Sequence, residues 1–342
     1  TGRRKYSSSE WLSKGFDGVV FRGAGVGATH IRPVGDCSVL VDRHPGIVRF
    51  EDLTVHCGPR QAIFFGLENK VRPVEPKFSL EMKRCAVADA PVSTWGLFGF
   101  QSDAWLEDVA IDVRHALEHA SYWHGFSKAG LRWNRVRVLS SGAEQCKVRN
   151  SPSETLRVPG ARVWLSGCQF NDWYQPWSSR GGGGVVLQGA ACDLLVTGCL
   201  FRNVGPSGTV PAAQRSRAIM VDDSGGDHYG MVGGAFATGH IVIRNCGFEA
   251  GPGTDNLSIL IRVGKLGGPG LAAKSFTLTG SALYGENMQL QLGDIPTGKT
   301  KIAGCNTEAL SDLAEMIGID TTHQAKIPLA NRVSNVSEGL LR

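Results

Sequence analysis

One eight-position pattern recurs along the chain: apolar, any, apolar, any, a turn-type residue, a small or apolar residue, any, apolar. It reads VRFEDLTV from Val48, AWLEDVAI from Ala104, LRWNRVRV from Leu131, VWLSGCQF from Val163, LLVTGCLF from Leu194, IVIRNCGF from Ile241 and FTLTGSAL from Phe276. TKIAGCNT from Thr300 is a degraded copy that has lost its apolar ends. Alternation of period two marks half-buried strand and not helix. The turn position falls at Asp52, Asp108, Arg135, Gly167, Gly198, Asn245, Gly280 and Gly304. A period of roughly 30 residues with insertions is the spacing of coils in a β-helix. The interval between Asp52 and Asp108 is about two periods long, and the extra coil is expected around Ala62-Ile63-Phe64-Phe65.

A second short apolar run precedes most copies: Val185-Val186-Leu187, Ala218-Ile219-Met220-Val221, Ile259-Leu260-Ile261 and Leu290-Gln291-Leu292. Two or three strands per coil, each bonded to its equivalent in the next coil, satisfy the backbone without long helices. Only two segments read as helix. One is 112–123; the other is 307–317, where Asn306 or Thr307 can cap the start and Gly318 the end. The expected fold is all-β: a single right-handed parallel β-helix of about nine coils, on the order of 45 Å long, with a short helix near the C-terminus. Its divisions are an N-terminal segment or cap over 1–14, the parallel β-helix over 15–305 and a C-terminal helix and tail over 306–342.

Cys168, Cys199, Cys246 and Cys305 all occupy the slot after the turn residue, which Leu53, Val109, Val136 and Ser281 fill in other copies. Equivalent residues of adjacent coils stack about 4.8 Å apart, so these four are expected to form a buried column of reduced thiols. The chain has nine cysteines and no CxxC pair, which disfavours a zinc ribbon and rules out a complete disulfide framework.

Composition narrows the partners. Charged residues are 20% of the chain, hydrophobic ones 42% and Gly 45 residues, a profile of neither a disordered nor a membrane-embedded chain. No run of apolar residues is long enough to insert in a membrane. The segment Thr1 to Trp11 is polar and basic and lacks the apolar centre of a signal peptide. The net charge is +5 with its basic residues dispersed, so no nucleic-acid partner is expected and a mild preference for acidic ligands is.

GVVFRGAGVGATHI from Gly18, GVVLQGAACDLLVTGCLFRNV from Gly184 and IVIRNCGFEAG from Ile241 resemble the coils of the pectate-lyase-like superfamily of parallel β-helices. That superfamily includes pectin and alginate lyases, glycoside hydrolases and phage tailspikes. The resemblance implies contact with carbohydrate, and it implies an extracellular or virion-associated setting.

Three motifs invite other chemistry. Gly23-Ala24-Gly25-Val26-Gly27-Ala28 satisfies GxGxxA, but a dinucleotide site needs a helix there and Thr29, Ile31, Pro33 and Gly35 oppose one. GDIPTGKT from Gly293 matches Walker A spacing, yet Pro296 removes a donor and a strand is expected to follow. His115, Glu118 and His119 fit HxxEH, which on a helix shares one face and is a weak candidate for a metal.

The candidate site residues lie on two loops and one face. Asp172, Trp173, Tyr174, Trp177 and Arg180 combine sugar-stacking rings with groups that fix hydroxyls or carboxylates. Asp222, Asp223 and Asp227 are the catalytic candidates, with His228 and Tyr229 beside them. Three carboxylates in six residues can divide acid and base roles or hold Ca²⁺, and no other cofactor is implied. Gln188, Asp222, Arg262 and Gln291 are expected to form a polar column on neighbouring coils. The residues leave two readings open. One is a carbohydrate-binding or carbohydrate-cleaving β-helix, a tailspike-like depolymerase acting as glycoside hydrolase or polysaccharide lyase on a polysaccharide, acidic ones included. The other is a non-catalytic structural or adhesive β-helix of a virion or cell surface. Self-association, or docking on a larger assembly, accompanies either.

Overall fold

The turn residues of the repeat are the hinges of the fold. Asp52, Asp108, Arg135, Gly167, Gly198, Asn245, Gly280 and Gly304 all have φ between 52° and 64°, the left-handed region. One such residue redirects the chain sharply, so the strand before it and the strand after it stack in separate ladders. The computed structural model describes residues 18–33, 39–41, 46–58, 63–66, 78–88, 93–100, 102–113, 116–124, 129–140, 145–149, 161–172, 183–188, 192–202, 217–222, 236–249, 258–261, 271–284, 289–292 and 295–305. Every strand pairing in it is parallel, in a 17-stranded sheet and a nine-stranded sheet. The architecture is a β-solenoid with the repeat connectivity of a parallel β-helix.

The large sheet holds two ladders. The first, before the turn, runs through Gly18–Arg22, Gly46–Glu51, the start of Phe78–Ala88, the start of Ser102–Val113, Gly130–Asn134, Arg162–Ser166, Asp193–Thr197, Phe236–Arg244, Leu271–Thr279 and Thr300–Ala303. The second, after the turn, includes Thr54–His56, Arg137–Ser140, Gln169–Asp172, Leu200–Arg202, Gly247–Glu249 and Ala282–Tyr284. The nine-stranded sheet closes each coil with the short apolar runs, among them Cys146–Arg149, Gly183–Gln188, Arg217–Asp222, Ser258–Ile261 and Gln289–Leu292.

The extra coil between Asp52 and Asp108 lies elsewhere than expected. It is Phe78–Ala88, whose LEMKRCAV from Leu80 follows the repeat, with Arg84 at φ 50° on the hinge. Ile63–Gly66 is instead a strand of the nine-stranded sheet. The helix expected over 112–123 is also corrected. Ser102–Val113 and Ala116–His124 are strands, paired to their neighbours on successive rungs. A helix there would have left the backbone groups of both adjoining coils unpaired, and ladder bonding overrides local helical periodicity. No helix occurs among the described residues, none therefore long and apolar enough to cross a membrane, and the 307–317 candidate lies outside them. Both glycine motifs lead into strands: His30–Ile31 follows the turn at Gly25, and Thr300–Ala303 follows a turn in which Lys299 N donates to Pro296 O.

The core is a set of columns. Phe170, Phe201 and Phe248 stack with centroids 4.8 and 5.0 Å apart, and all three are fully buried. Trp123 fits because its rung neighbour is Gly99, where a Cβ would sit 2.3 Å from the indole. The thiol column forms as expected and gains Cys85 from the extra coil: Cys85, Cys168, Cys199, Cys246 and Cys305 are free and buried. Each thiol bonds the carbonyl two residues earlier, as in Cys246 Sγ to Arg244 O at 3.2 Å. Ser281 does the same in its rung. A small side chain with one weak donor thus takes the spare lone pair of a ladder carbonyl just before the hinge. Burial pushes the Cys199 thiol well above its ordinary pKa and Cys192 up to about 12, which leaves both inert.

Candidate functional site

The expected site residues fall mostly outside the described residues: Trp173, Tyr174, Trp177, Arg180, Asp223, Asp227, His228, Tyr229, Arg262 and His115 all do. Asp172 closes the strand Gln169–Asp172 and pairs with Ser140. Asp222 closes Arg217–Asp222 and pairs with Gln188 on the preceding rung, so these two members of the expected column stand together. Gln291 does not join them. Its partner is Leu260, two residues short of the level that Asp222 defines. The apolar runs pair in straight register, Ile259-Leu260-Ile261 with Leu290-Gln291-Leu292, so Gln291 stands at the level of Met220.

The column extends in the other direction. Gln188 pairs with Arg149, and Arg149 pairs with His124. Four consecutive rungs of the nine-stranded sheet therefore end in His124, Arg149, Gln188 and Asp222. Two residues earlier on the same strands lies a second column, Tyr122, Lys147, Val186 and Met220, which Phe98 continues on the rung before. Phe98, Tyr122, Lys147 and Met220 are less than a tenth exposed. The Tyr122 ring meets Phe98 edge-on at 5.2 Å and lies 4.9 Å from His119. Parallel pairing brings the strand positions of His124, Arg149, Gln188 and Asp222 to one end of one sheet, next to the positions of Tyr122 and Lys147.

Sequence reading missed Tyr122, Lys147 and Arg149 as a group. The signal lay in HASYWH over 119–124 and CKVR over 146–149, two runs with period-two alternation. The strand also removes the basis of the metal candidate. His115, Glu118 and His119 require one helical face, whereas Glu118 and His119 are adjacent strand residues and His119 is buried beside Tyr122. Among the described residues no three His, Cys, Asp or Glu side chains are grouped to hold a metal ion.

A second titratable cluster spans the first two coils. His56 Nδ1 lies 3.2 Å from Arg32 Nη1, and its Nε2 lies 3.0 Å from His30 Nδ1. The guanidinium can only donate, so His56 accepts at Nδ1 and donates from Nε2 to His30. Burial, then the charge of Arg32 and the neighbouring His30, lowers the His56 pKa.

No protein-family model, curated protein or solved structure matches this chain.

Proposed function

We propose that the chain is a glycan-engaging β-solenoid, and that its working surface is the end of the nine-stranded sheet. The observation that carries this reading is the register of His124, Arg149, Gln188 and Asp222 on four consecutive rungs, beside Tyr122 and Lys147. A solenoid offers a long glycan the same contact geometry on each coil. Arg149 would suit an acidic polysaccharide, because a carboxylate next to a fixed cation is held by charge-assisted hydrogen bonds. Asp222, with Asp223 and Asp227 following it, would supply acid–base chemistry, and the aromatic loop of Trp173, Tyr174 and Trp177 would stack on sugar rings. The likeness to pectate-lyase-like and tailspike proteins and the extracellular or virion setting belong to this proposal.

The test is release of reducing ends or unsaturated uronates from a panel of acidic polysaccharides, for the parent and Asp222→Asn. Release by the parent that falls at least about tenfold in the variant supports catalysis at this column. No release and no glycan binding by the parent would remove the reading. One observation favours the structural alternative: Phe98, Tyr122, Lys147 and Met220 are already covered, as in a packed scaffold. On that alternative the parent retains neither release nor binding, while Lys147→Ala lowers the melting temperature.

A further inference from the structure

The second position of the repeat is open to any residue, and on three successive rungs of the first ladder it holds Trp105, Arg132 and Trp164. The Arg132 guanidinium carbon lies 5.1 Å from the Trp105 ring centroid and 4.4 Å from that of Trp164, so the cation is clamped between two indoles. Trp105 is 42% exposed; among the described residues the other large exposed apolar ones, Val20, Phe21, Val26 and Ile47, all lie in the first two coils.

Arg132 differs from the ion-paired arginines of the solenoid in how its N–H groups are spent. Arg22 donates to Glu51, Arg49 to Glu81, Arg84 to Asp52, Arg135 to Asp108 and Glu107, and Arg202 to Glu249. Among the described residues Arg132 has no acceptor. Glu107, on the preceding rung, is committed to Lys83 and Arg135. Arg162, two residues before Trp164 on the same strand, is exposed and has no ion pair among the described residues. The carboxylates on either side of it in its column, Asp103 and Asp193, turn an oxygen to backbone N–H groups, those of Gly130 and His240, each at 2.9 Å.

We infer that the Trp105–Arg132–Trp164 strip, with Arg162 beside it, is a binding site for the carboxylates of an acidic glycan, separate from the end of the nine-stranded sheet. The ring faces toward Arg132 are occupied, so the strip presents edges. Indole edges carry the positive end of the ring quadrupole and an N–H donor, and between them stands a planar fork that matches a carboxylate with two hydrogen bonds. Stacking has already restricted the long arginine side chain, so less freedom is lost when the anion binds. A polymer lying along the solenoid axis meets Trp105, Arg132 and Trp164 in turn, about 4.8 Å apart.

The experiment titrates the full chain with a galacturonate oligomer, a sulfated glycan, a neutral glucan oligomer and a single-stranded DNA oligomer, reading tryptophan fluorescence and calorimetry. Saturable binding of the galacturonate oligomer, weakened by salt and by at least about tenfold in Arg132→Ala, is the expected result. Arg132→Lys should remain weak, since an ammonium cannot reproduce the fork, and the exposed Arg162→Ala should lose a smaller factor without loss of fold. Binding unchanged in Arg132→Ala and Trp105→Ala, with only a lower melting temperature, would overturn the inference and leave a strand brace. Equal binding of the neutral oligomer, or preference for the sulfated glycan or DNA, would overturn it as well. This strip takes the same ligand class as the proposed function, and release of reducing ends or unsaturated uronates reads the end of the nine-stranded sheet while the tryptophan signal and its loss in Arg132→Ala read the strip, so the two failures are distinguishable.

Discussion

Arg84 donates from Nε and Nη2 to the two carboxylate oxygens of Asp52, at 2.6 and 2.7 Å, and both residues are hinge residues in the left-handed region. The next two rungs repeat the arrangement, with Arg135 bonded to Asp108 at 2.6 and 2.9 Å. Charges alternate along four successive hinges where later coils use Gly or Asn. A side chain with a Cβ is disfavoured at such φ values, and bidentate pairing with the neighbouring hinge offsets that. Arg84→Ala keeps the strained backbone and loses the pair, whereas Arg84→Gly loses the pair and relieves the strain. The melting temperature should therefore fall in the order parent, Arg84→Gly, Arg84→Ala. If Arg84→Ala melts with the parent, the pair contributes nothing. Gly198→Ala should cost about 1 kcal/mol from backbone strain alone, because nothing lies within 4 Å of the added Cβ.

Acid should unfold the protein in two stages. His56 is held below its ordinary 6.5, so the unfolded chain takes up that proton first. The stability it contributes is present above about pH 6.5 and is lost as pH falls through its folded value. Asp52 and Asp108 are held below 3.8 by the hydrogen bonds of Arg84 and Arg135. Their contribution is complete above about pH 4 and is lost below it, through their folded values. His56→Gln should remove the upper stage from a plot of melting temperature against pH. The paired change Arg84→Ala with Arg135→Ala should shrink the lower one; an unaltered acid limb in that double variant refutes the assignment.

Thiol chemistry reads the core directly. Cys85, Cys168, Cys199, Cys246 and Cys305 should stay unlabelled by an aromatic disulfide reagent in the native state and react together once denaturant unfolds the chain. Rapid native labelling of any of the five places its rung outside the core.

Phe201 stacks on Phe170 and Phe248 at once, and it is fully buried. Phe201→Ala should destabilise by about 3–5 kcal/mol in urea unfolding, and Phe201→Leu by less because the column stays partly filled. A loss below about 1 kcal/mol for the alanine variant would mean that the coils close over the gap.

The Phe78–Ala88 coil marks where pattern reading stops. LEMKRCAV carries every apolar position of the repeat, but Arg84 is no turn-former by propensity, and its bond to Asp52 on the preceding rung is what makes the left-handed hinge tenable there. The segment 112–123 failed for a related reason: its helical spacing was real, yet parallel partners on both sides claimed the backbone of Ala116–His124. Likewise the pairing of Gln188 with Asp222 and the lower level of Gln291 follow from the apolar runs, whereas the pairings that add Arg149 and His124 exist only between strands. What the sequence determined by itself is what each residue encodes locally or by repetition: period-two strands, glycine and asparagine hinges, and the slot in which cysteines stack. Tertiary structure decided which rung lies beside which, because register is set by the sum of pairings across coils tens of residues apart. It therefore decided which charged side chains meet, and with them the ion-paired hinges, the polar end of the nine-stranded sheet and the arginine held between two tryptophans.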